Sequence, residues 1–355
     1  MGLFDFIFGK KKQDADTPSS KVAGNGFSDR EIGRHKDLDR APQGSILFRD
    51  SHKPEWLLNG KPVPETLTPS PSLGSRPPEI PPIVRQKVGK AMEGRFQMSS
   101  DSAKLISLLN SNSADAGEIT QAVTRDPNLV TRILKVVNSA QFGLAMPIHA
   151  VGRAVVLLGF NNIRAIALAD AVSLNAVTFE DAARTRMLWM NSAVTSACAA
   201  SLAKKLGNGV DMGDAATAGL LSNIGKMLMK VEETGKLSQV TGLPPCVVEG
   251  FVGSCFAGTW GLPVLTGQVL ETASVSFHYS VENIPMEFRK IALTVAFASF
   301  ITRWYGFSNG DTPELPSQEF LDAINWKAPS SGHWIEGDTA LEMEKARTAM
   351  QLYLS

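Results

Sequence analysis

The stretch Ala218-Gly219-Leu220-Leu221-Ser222-Asn223-Ile224-Gly225-Lys226 decides how the rest of this chain is read. Small and apolar residues surround one adjacent polar pair, Ser222-Asn223. The segment reads as a helix, and Asp211 or Asp214 stands where an acidic side chain caps a helix start. Gly219 and Gly225, with Gly253 further along, are predicted to be positions of close packing between helices. Buried polar groups normally hydrogen-bond to one another, so the pair belongs either to a polar cluster or to a working site.

The same helical reading extends in both directions. Asp126-Pro127 is a helix start, an N-cap acid followed by proline at the first helical position. Leu129, Ile133, Leu134 and Val137 then share one face. Ile148, Val151, Val155 and Leu158 repeat the spacing, and Gly159 is predicted to close that helix as a C-terminal glycine. Residues 180–206 form an alanine-rich helix ending at Gly207, and Gly207-Asn208-Gly209 is a loop signal. Further helices are expected over 246–259, 264–277 and 286–305. A final helix near 338–353 has Leu341, Ala349 and Leu352 as its apolar face, to pack back on the domain or to engage a partner. No alternating strand pattern follows residue 80. The fold class is therefore all-α.

Composition narrows the function. The chain has 355 residues, with 35 Lys+Arg against 35 Asp+Glu. A protein living on a nucleic-acid backbone usually shows a basic excess, so no nucleic-acid partner is expected. Cys198, Cys246 and Cys255 form no CxxC pair, which argues for a reducing, cytoplasmic setting rather than a disulfide framework. Cys255 lacks a neighbouring base and reads as a small buried hydrophobe. No run of about 18 apolar residues is evident, so no transmembrane helix is expected. Eleven of the 20 prolines lie at or before Pro82. Residues 1–77 accordingly read as a flexible Pro-rich leader, with two apolar islands, Ile46-Leu47-Phe48 and Trp56-Leu57-Leu58, that could dock onto the folded part. At its tip, Leu3, Phe4, Phe6, Ile7 and Phe8 precede Lys10, Lys11 and Lys12. An interfacial anchor combines such an apolar tip with lysines facing anionic lipid; a docking segment for another protein has the same pattern. Peripheral contact with the inner membrane is one expectation from this tip.

Several short motifs recur in a recognisable order: Ile80-Pro81-Pro82-Ile83, Thr124 to Leu129, Ile133 to Ala140, Ile148 to Ala154, Leu157-Leu158-Gly159, Leu188 to Ser192, the Ala218–Lys226 stretch and Trp260-Gly261-Leu262-Pro263. As a set they resemble the HDOD family, the HD-related output domain of bacterial signalling proteins, over about 78–305. Residues 306–355 then read as a polar linker and a C-terminal helix. The resemblance implies a multi-helix HD-like domain and a role in signal transduction.

The HD phosphohydrolases to which that family is related hold a divalent metal with imidazoles and carboxylates, which activates water and polarises a phosphoryl oxygen. Here the resemblance places Asn191, Ser222, Asn223 and Glu249 where metal-binding residues are expected, and His278-Tyr279 where paired histidines are expected. One imidazole and one carboxylate remain. No metal site, no cofactor and no catalytic residue are therefore expected. The expected function is a non-catalytic regulator acting through a signalling protein partner, with a link to cyclic-dinucleotide signalling. Two alternatives stand beside it: a divergent metal-dependent phosphohydrolase using Glu249 and His278, and a membrane-tethered scaffold using residues 1–12. Asn191, Ser222, Asn223, Glu249 and His278 together are either a relic pocket that binds a nucleotide or a mutually bonded polar cluster. Asn138-Ser139 is assigned a capping or turn role, and Trp189 and Trp260 are assigned to the core.

Overall fold

The computed structural model describes residues 79–93, 100–109, 111, 114–139, 144, 146–174, 182–229, 231–304, 316–326 and 338–354. The expectations for residues 1–77, including the tip at Leu3 to Lys12, lie outside the described residues. Fourteen α-helices occur among the described residues, and no strand does.

The first five are α1 (Pro82–Glu93), α2 (Ser100–Leu109), α3 (Ala116–Thr124), α4 (Pro127–Val137) and α5 (Val151–Leu174). Local chemistry sets their ends. Asp115 and Glu118 form a reciprocal capping box at the start of α3. Asp126 caps α4 through the backbone N–H groups of Asn128 and Leu129, with Pro127 at the first helical position. Asn138 ends α4 and ties down the chain beyond it. Its amide donates to the Ile148 carbonyl at 2.7 Å, and its oxygen accepts from the Ile148 N–H at 2.6 Å. The turn role expected of Asn138 is therefore a clamp across ten residues.

Gly159 does not end its helix. It sits at φ 76° and ψ 158° inside α5, as a sharp bend after which the helix resumes to Leu174. Val155 and Leu158 before the bend, and Ile163, Ile166 and Ala167 after it, belong to one apolar cluster. Burial of that continuing apolar face outweighs the stop signal. α5 bears on the expectation about membrane-length segments. Val151–Ala171 is long and apolar enough to cross a membrane by composition, but 72% of its most apolar stretch is buried inside the protein, as in the core helix of a globular domain.

The second half of the chain contains α6 (Ala182–Leu206), α7 (Met212–Leu221), α8 (Ile224–Leu228), α9 (Val231–Thr241), α10 (Pro245–Thr259), α11 (Val264–Ala273), α12 (Met286–Trp304), α13 (Gln318–Ala323) and α14 (Asp338–Leu354). Asp211, the nearer of the two candidates, caps α7 through Gly213 and Asp214. α11 stops at Ala273 rather than at 277; the Ser274 and Ser276 hydroxyls bond back to the Glu271 and Thr272 carbonyls there.

α6 is the central helix, packed against α5, α7, α8, α12 and α14. Trp189 and Trp260 are both buried in the cluster that joins α1, α6 and α10. Arg85 of α1 reinforces that junction, with its guanidinium 5.0 Å from the Phe251 ring and bonded through both terminal nitrogens to Glu271. A second cluster gathers α6, α7 and α12 around Phe297, Phe300 and Phe320. A third joins α2 to α5. Buried between α2 and α7, the Arg164 guanidinium of α5 donates to the carbonyl of Leu109 and, at 3.5 Å, to that of Gly213. Burial pushes that guanidinium down to about 10, against the pull of Asp211 and Asp214.

α14 packs back onto the domain and reaches all three clusters. Ala349 enters the third, Ala346 and Met350 the first, and Ala340 and Met343 the second. Leu341, expected on the buried face, is 55% exposed. The helix is rotated so that the small residues and the methionines face inward. Tyr353 fastens its end: its hydroxyl accepts from Arg132 of α4 at 2.9 Å and donates to buried Asp170 of α5 at 3.4 Å. Arg132 is also ion-paired with Asp170 and stands 5.5 Å from the Tyr353 ring.

Candidate functional site

Asn191 lies on α6, one residue past the core segment Leu188-Trp189-Met190. Ser222 ends α7, and Asn223 starts α8. The Asn223 side chain makes no capping bond to its own helix. It turns instead to α6, donating to the Asn191 carboxamide oxygen at 2.7 Å and to the Ser192 hydroxyl at 3.2 Å. Both asparagines are buried. Two of the five candidate residues are thus bonded directly to each other.

Close backbone contact makes this junction. A Cβ on Gly219 would lie 3.0 Å from the Ser196 Cα and the Thr195 carbonyl oxygen, so α7 and α6 meet backbone to backbone. A Cβ on Gly225 would come within 1.9 Å of the Glu249 carbonyl oxygen, so the start of α8 lies directly on α10. Gly253 is also tight, its Cβ position 3.3 Å from Ile224 Cγ2. All three glycines have the packing role expected of them. Arg184 holds the far end of α8, donating to the Lys226 carbonyl at 3.0 Å.

Glu249 joins the site from α10. Its carboxylate lies 3.9 Å from the Lys226 ammonium. Both side chains are partly exposed, which makes the pair a weak one. Cys246, one turn before Glu249, has its thiol pushed up by burial first and by Glu249 second, with Lys226 opposing. The Tyr279 hydroxyl is raised by burial and, secondarily, by Cys246. Tyr279 belongs to the same apolar cluster as Val247 and Val248 of α10. His278 is half-buried, and its backbone N–H donates to the Val275 carbonyl at 2.9 Å.

Sequence reasoning missed two features here. Ser192, adjacent to Asn191, is fully buried and accepts from Asn223. The hydroxyls of Thr195 and Ser222 are buried with no hydrogen-bond partner among the described residues. A signal was present: Asn191-Ser192 and Thr195-Ser196 are four residues apart, and so on one helix face. The partner of Asn223 is a tertiary fact.

A divalent metal needs oxygen or nitrogen lone pairs converging on one point. Asn223 turns an N–H donor towards Asn191, and the Asn191 oxygen is occupied by that donor. Among the described residues, no group of three His, Cys, Asp or Glu side chains could hold a metal ion. The residues at these positions do not fit a metal. Cys255 is half-buried rather than fully buried, and burial pushes its thiol up to about 12; so protonated a thiol is a poor nucleophile.

Residues 97–242 match the model of the HDOD domain. The chain carries an HDOD domain. The matched stretch includes Asn191, Ser222 and Asn223 and stops short of Glu249 and His278. The chain is similar to an uncharacterized protein of Treponema pallidum (strain Nichols), with 27% identity over 210 residues. That match covers 55% of this chain and 39% of the relative, so the chain spans well under two thirds of the length of the curated relative it matches. Among solved structures, the fold is similar to that of a candidate signal-transduction protein of Marinobacter aquaeolei VT8, with TM-score 0.61, 15% identity, and 76% and 61% of the two chains covered. A candidate phosphohydrolase of Shewanella amazonensis SB2B gives TM-score 0.54, 19% identity, and 76% and 98% coverage. An HDOD domain protein of unknown function from Geobacter sulfurreducens gives 0.50, 18%, and 75% and 97%. At these identities the likeness is one of fold.

Proposed function

We propose that this HDOD protein is a non-catalytic regulator in bacterial signal transduction, acting in the cytoplasm by contact with a signalling protein partner. The observation that carries this reading is the 2.7 Å bond between Asn223 and Asn191. At the two positions where an HD hydrolase is expected to present metal ligands, this chain presents an amide donor and an acceptor that satisfy each other. What remains useful is a rigid helical scaffold. A cyclic-dinucleotide enzyme is one partner class for such a scaffold.

The test combines elemental analysis of full-length protein purified without chelator with an assay on phosphodiester substrates. Less than about a tenth of an equivalent of transition metal, together with no turnover, is the expected result. Near-stoichiometric metal that is lost in Glu249→Ala or His278→Ala would overturn it in favour of a divergent phosphohydrolase.

A second reading concerns the same junction. The unpartnered hydroxyls of Thr195 and Ser222 beside the Asn191–Asn223 pair are the kind of buried groups that a polar ligand satisfies. A nucleotide is the ligand class proposed, with Glu249 and His278 at the rim. Calorimetry against a nucleotide panel tests it, and no heat at high concentration removes it. For the tip at Leu3 to Lys12 the proposal is peripheral membrane contact, tested by liposome co-sedimentation with and without residues 1–12.

A further inference from the structure

The turn between α6 and α7 reads Gly207-Asn208-Gly209-Val210, and three partners hold the asparagine at its centre. The Val210 N–H donates to the Asn208 Oδ1 at 3.2 Å. The Asn208 Nδ2 donates to the Thr294 Oγ1 of α12 at 3.3 Å. That hydroxyl can accept, because its own proton goes to the Lys290 carbonyl at 2.8 Å. The Lys290 ammonium, one turn before Thr294 and so on the same side of α12, donates to the Asn208 backbone carbonyl at 3.2 Å. Gly209 is exposed at φ 79°, and a Cβ there would meet nothing within 4 Å. Water therefore reaches the peptide nitrogen that follows Asn208.

An asparagine followed by glycine carries a reaction of its own. The backbone nitrogen of the glycine attacks the side-chain amide carbon and closes a five-membered imide. Such an attack is helped by a nucleophile with a lowered pKa and by a donor at the oxygen where charge develops. Both are built here. Once deprotonated, the Gly209 nitrogen shares its charge with the Asn208 carbonyl oxygen, which the Lys290 ammonium holds. The Val210 N–H is aimed at the amide oxygen that becomes the oxyanion. Thr294 fixes the amide nitrogen that leaves. We propose that Asn208 is a self-modification site, converted by its own turn to a succinimide and then to aspartate or isoaspartate. Solvent base takes the Gly209 proton, the Gly209 nitrogen bonds to the Asn208 Cγ, and the Cγ–Nδ2 bond breaks. Nδ2 takes one proton back from solvent and leaves as ammonia. Water then adds across one of the two C–N bonds of the imide. Opening at Cγ gives aspartate, and opening at the backbone carbonyl gives isoaspartate, which adds a carbon to the main chain. Only water is consumed. The product puts a carboxylate beside Lys290, in the connection that sets α7 against α6. The change is one-way, so its extent records the age of the folded chain. This inference does not depend on whether the domain is catalytic.

The sequence has four Asn-Gly pairs, at Asn25, Asn59, Asn208 and Asn309. Local sequence makes all four susceptible; the contacts to Lys290 and Thr294 are what folding adds at Asn208. The test incubates full-length protein at mildly alkaline pH, folded and in urea. Peptide mass spectrometry with electron-transfer fragmentation then reads succinimide, aspartate and isoaspartate at each site. The expected result is conversion of Asn208 at least about tenfold faster in the folded chain than in the same chain unfolded, since a single aligned donor is worth that much or more. Lys290 is exposed, so its substitution leaves the core intact. Lys290→Gln is expected to bring the folded rate down towards the unfolded one, and Lys290→Arg, which keeps a charged donor, to retain most of it. Asn208 reacting no faster in the folded protein than in urea would overturn the proposal, and would show the turn to be a cage that protects the amide. An unchanged folded rate in Lys290→Gln would overturn it as well.

Discussion

Gly225 lies so close to Glu249 that a Cβ on the glycine would sit 1.9 Å from the glutamate carbonyl oxygen. The obstacle is backbone on both sides, so no side-chain rotation relieves it. Gly225→Ala must separate α8 from α10. It is expected to cost at least the roughly 1–3 kcal/mol typical of overpacking, read as a lowered urea midpoint. Gly253→Ala meets the end of the Ile224 side chain at 3.3 Å and is expected to cost less. Equal midpoints for the two variants would refute the backbone contact.

Asn223→Ala removes the donor that satisfies Asn191 and Ser192. Removing that donor from the two buried oxygens is expected to cost about 1–3 kcal/mol. Because the two asparagines share one bond, their effects are expected to be less than additive. A double-mutant cycle with Asn191→Ala measures this. Strict additivity would show that the bond contributes nothing.

Burial pushes the Asp170 carboxyl above the usual carboxylate range, against the opposing pull of Arg132 and the Tyr353 hydroxyl. The folded state therefore takes up this proton more readily than the unfolded chain. Its stabilising contribution is complete below the ordinary value of about 3.9 and is lost as pH rises through the raised value. Asp170→Asn cannot titrate. Melting temperatures of the parent, relative to this variant, are expected to fall as pH rises through that window. Parallel curves would sink the assignment. Tyr353→Phe, which removes a hydroxyl bonded to both Arg132 and Asp170, is expected to cost about 1 kcal/mol.

Deleting residues 338–355 removes Ala340, Met343, Ala346, Ala349 and Met350 from three apolar clusters at once. Loss of the cooperative thermal transition is expected, with helical far-ultraviolet dichroism retained and near-ultraviolet signal lost. A truncated protein that melts as sharply as the parent would show α14 to be an appendage.

Most helices were legible because their determinants are local. Asp126-Pro127 and Asp211 act within three residues of themselves, and the long alanine-rich helix does end at Leu206, just before Gly207. The candidate site was legible in part, since Ser222-Asn223 stands inside a recognisable helical frame. What stayed hidden depends on residues far apart along the chain. The partner of Asn223 is 32 positions away, and that of Arg132 at the end of α14 is 221 positions away.

By itself, the sequence determined an all-helical domain and the caps that start its helices. Each of these is carried by residue identity and short-range spacing. Only the tertiary structure decided that Gly159 bends α5 instead of ending it, that α14 buries Met343 and leaves Leu341 outside, and that Asn191 and Asn223 satisfy each other. Those outcomes follow from which apolar faces and polar groups the packed helices bring together, and packing outweighs the local signals at these positions.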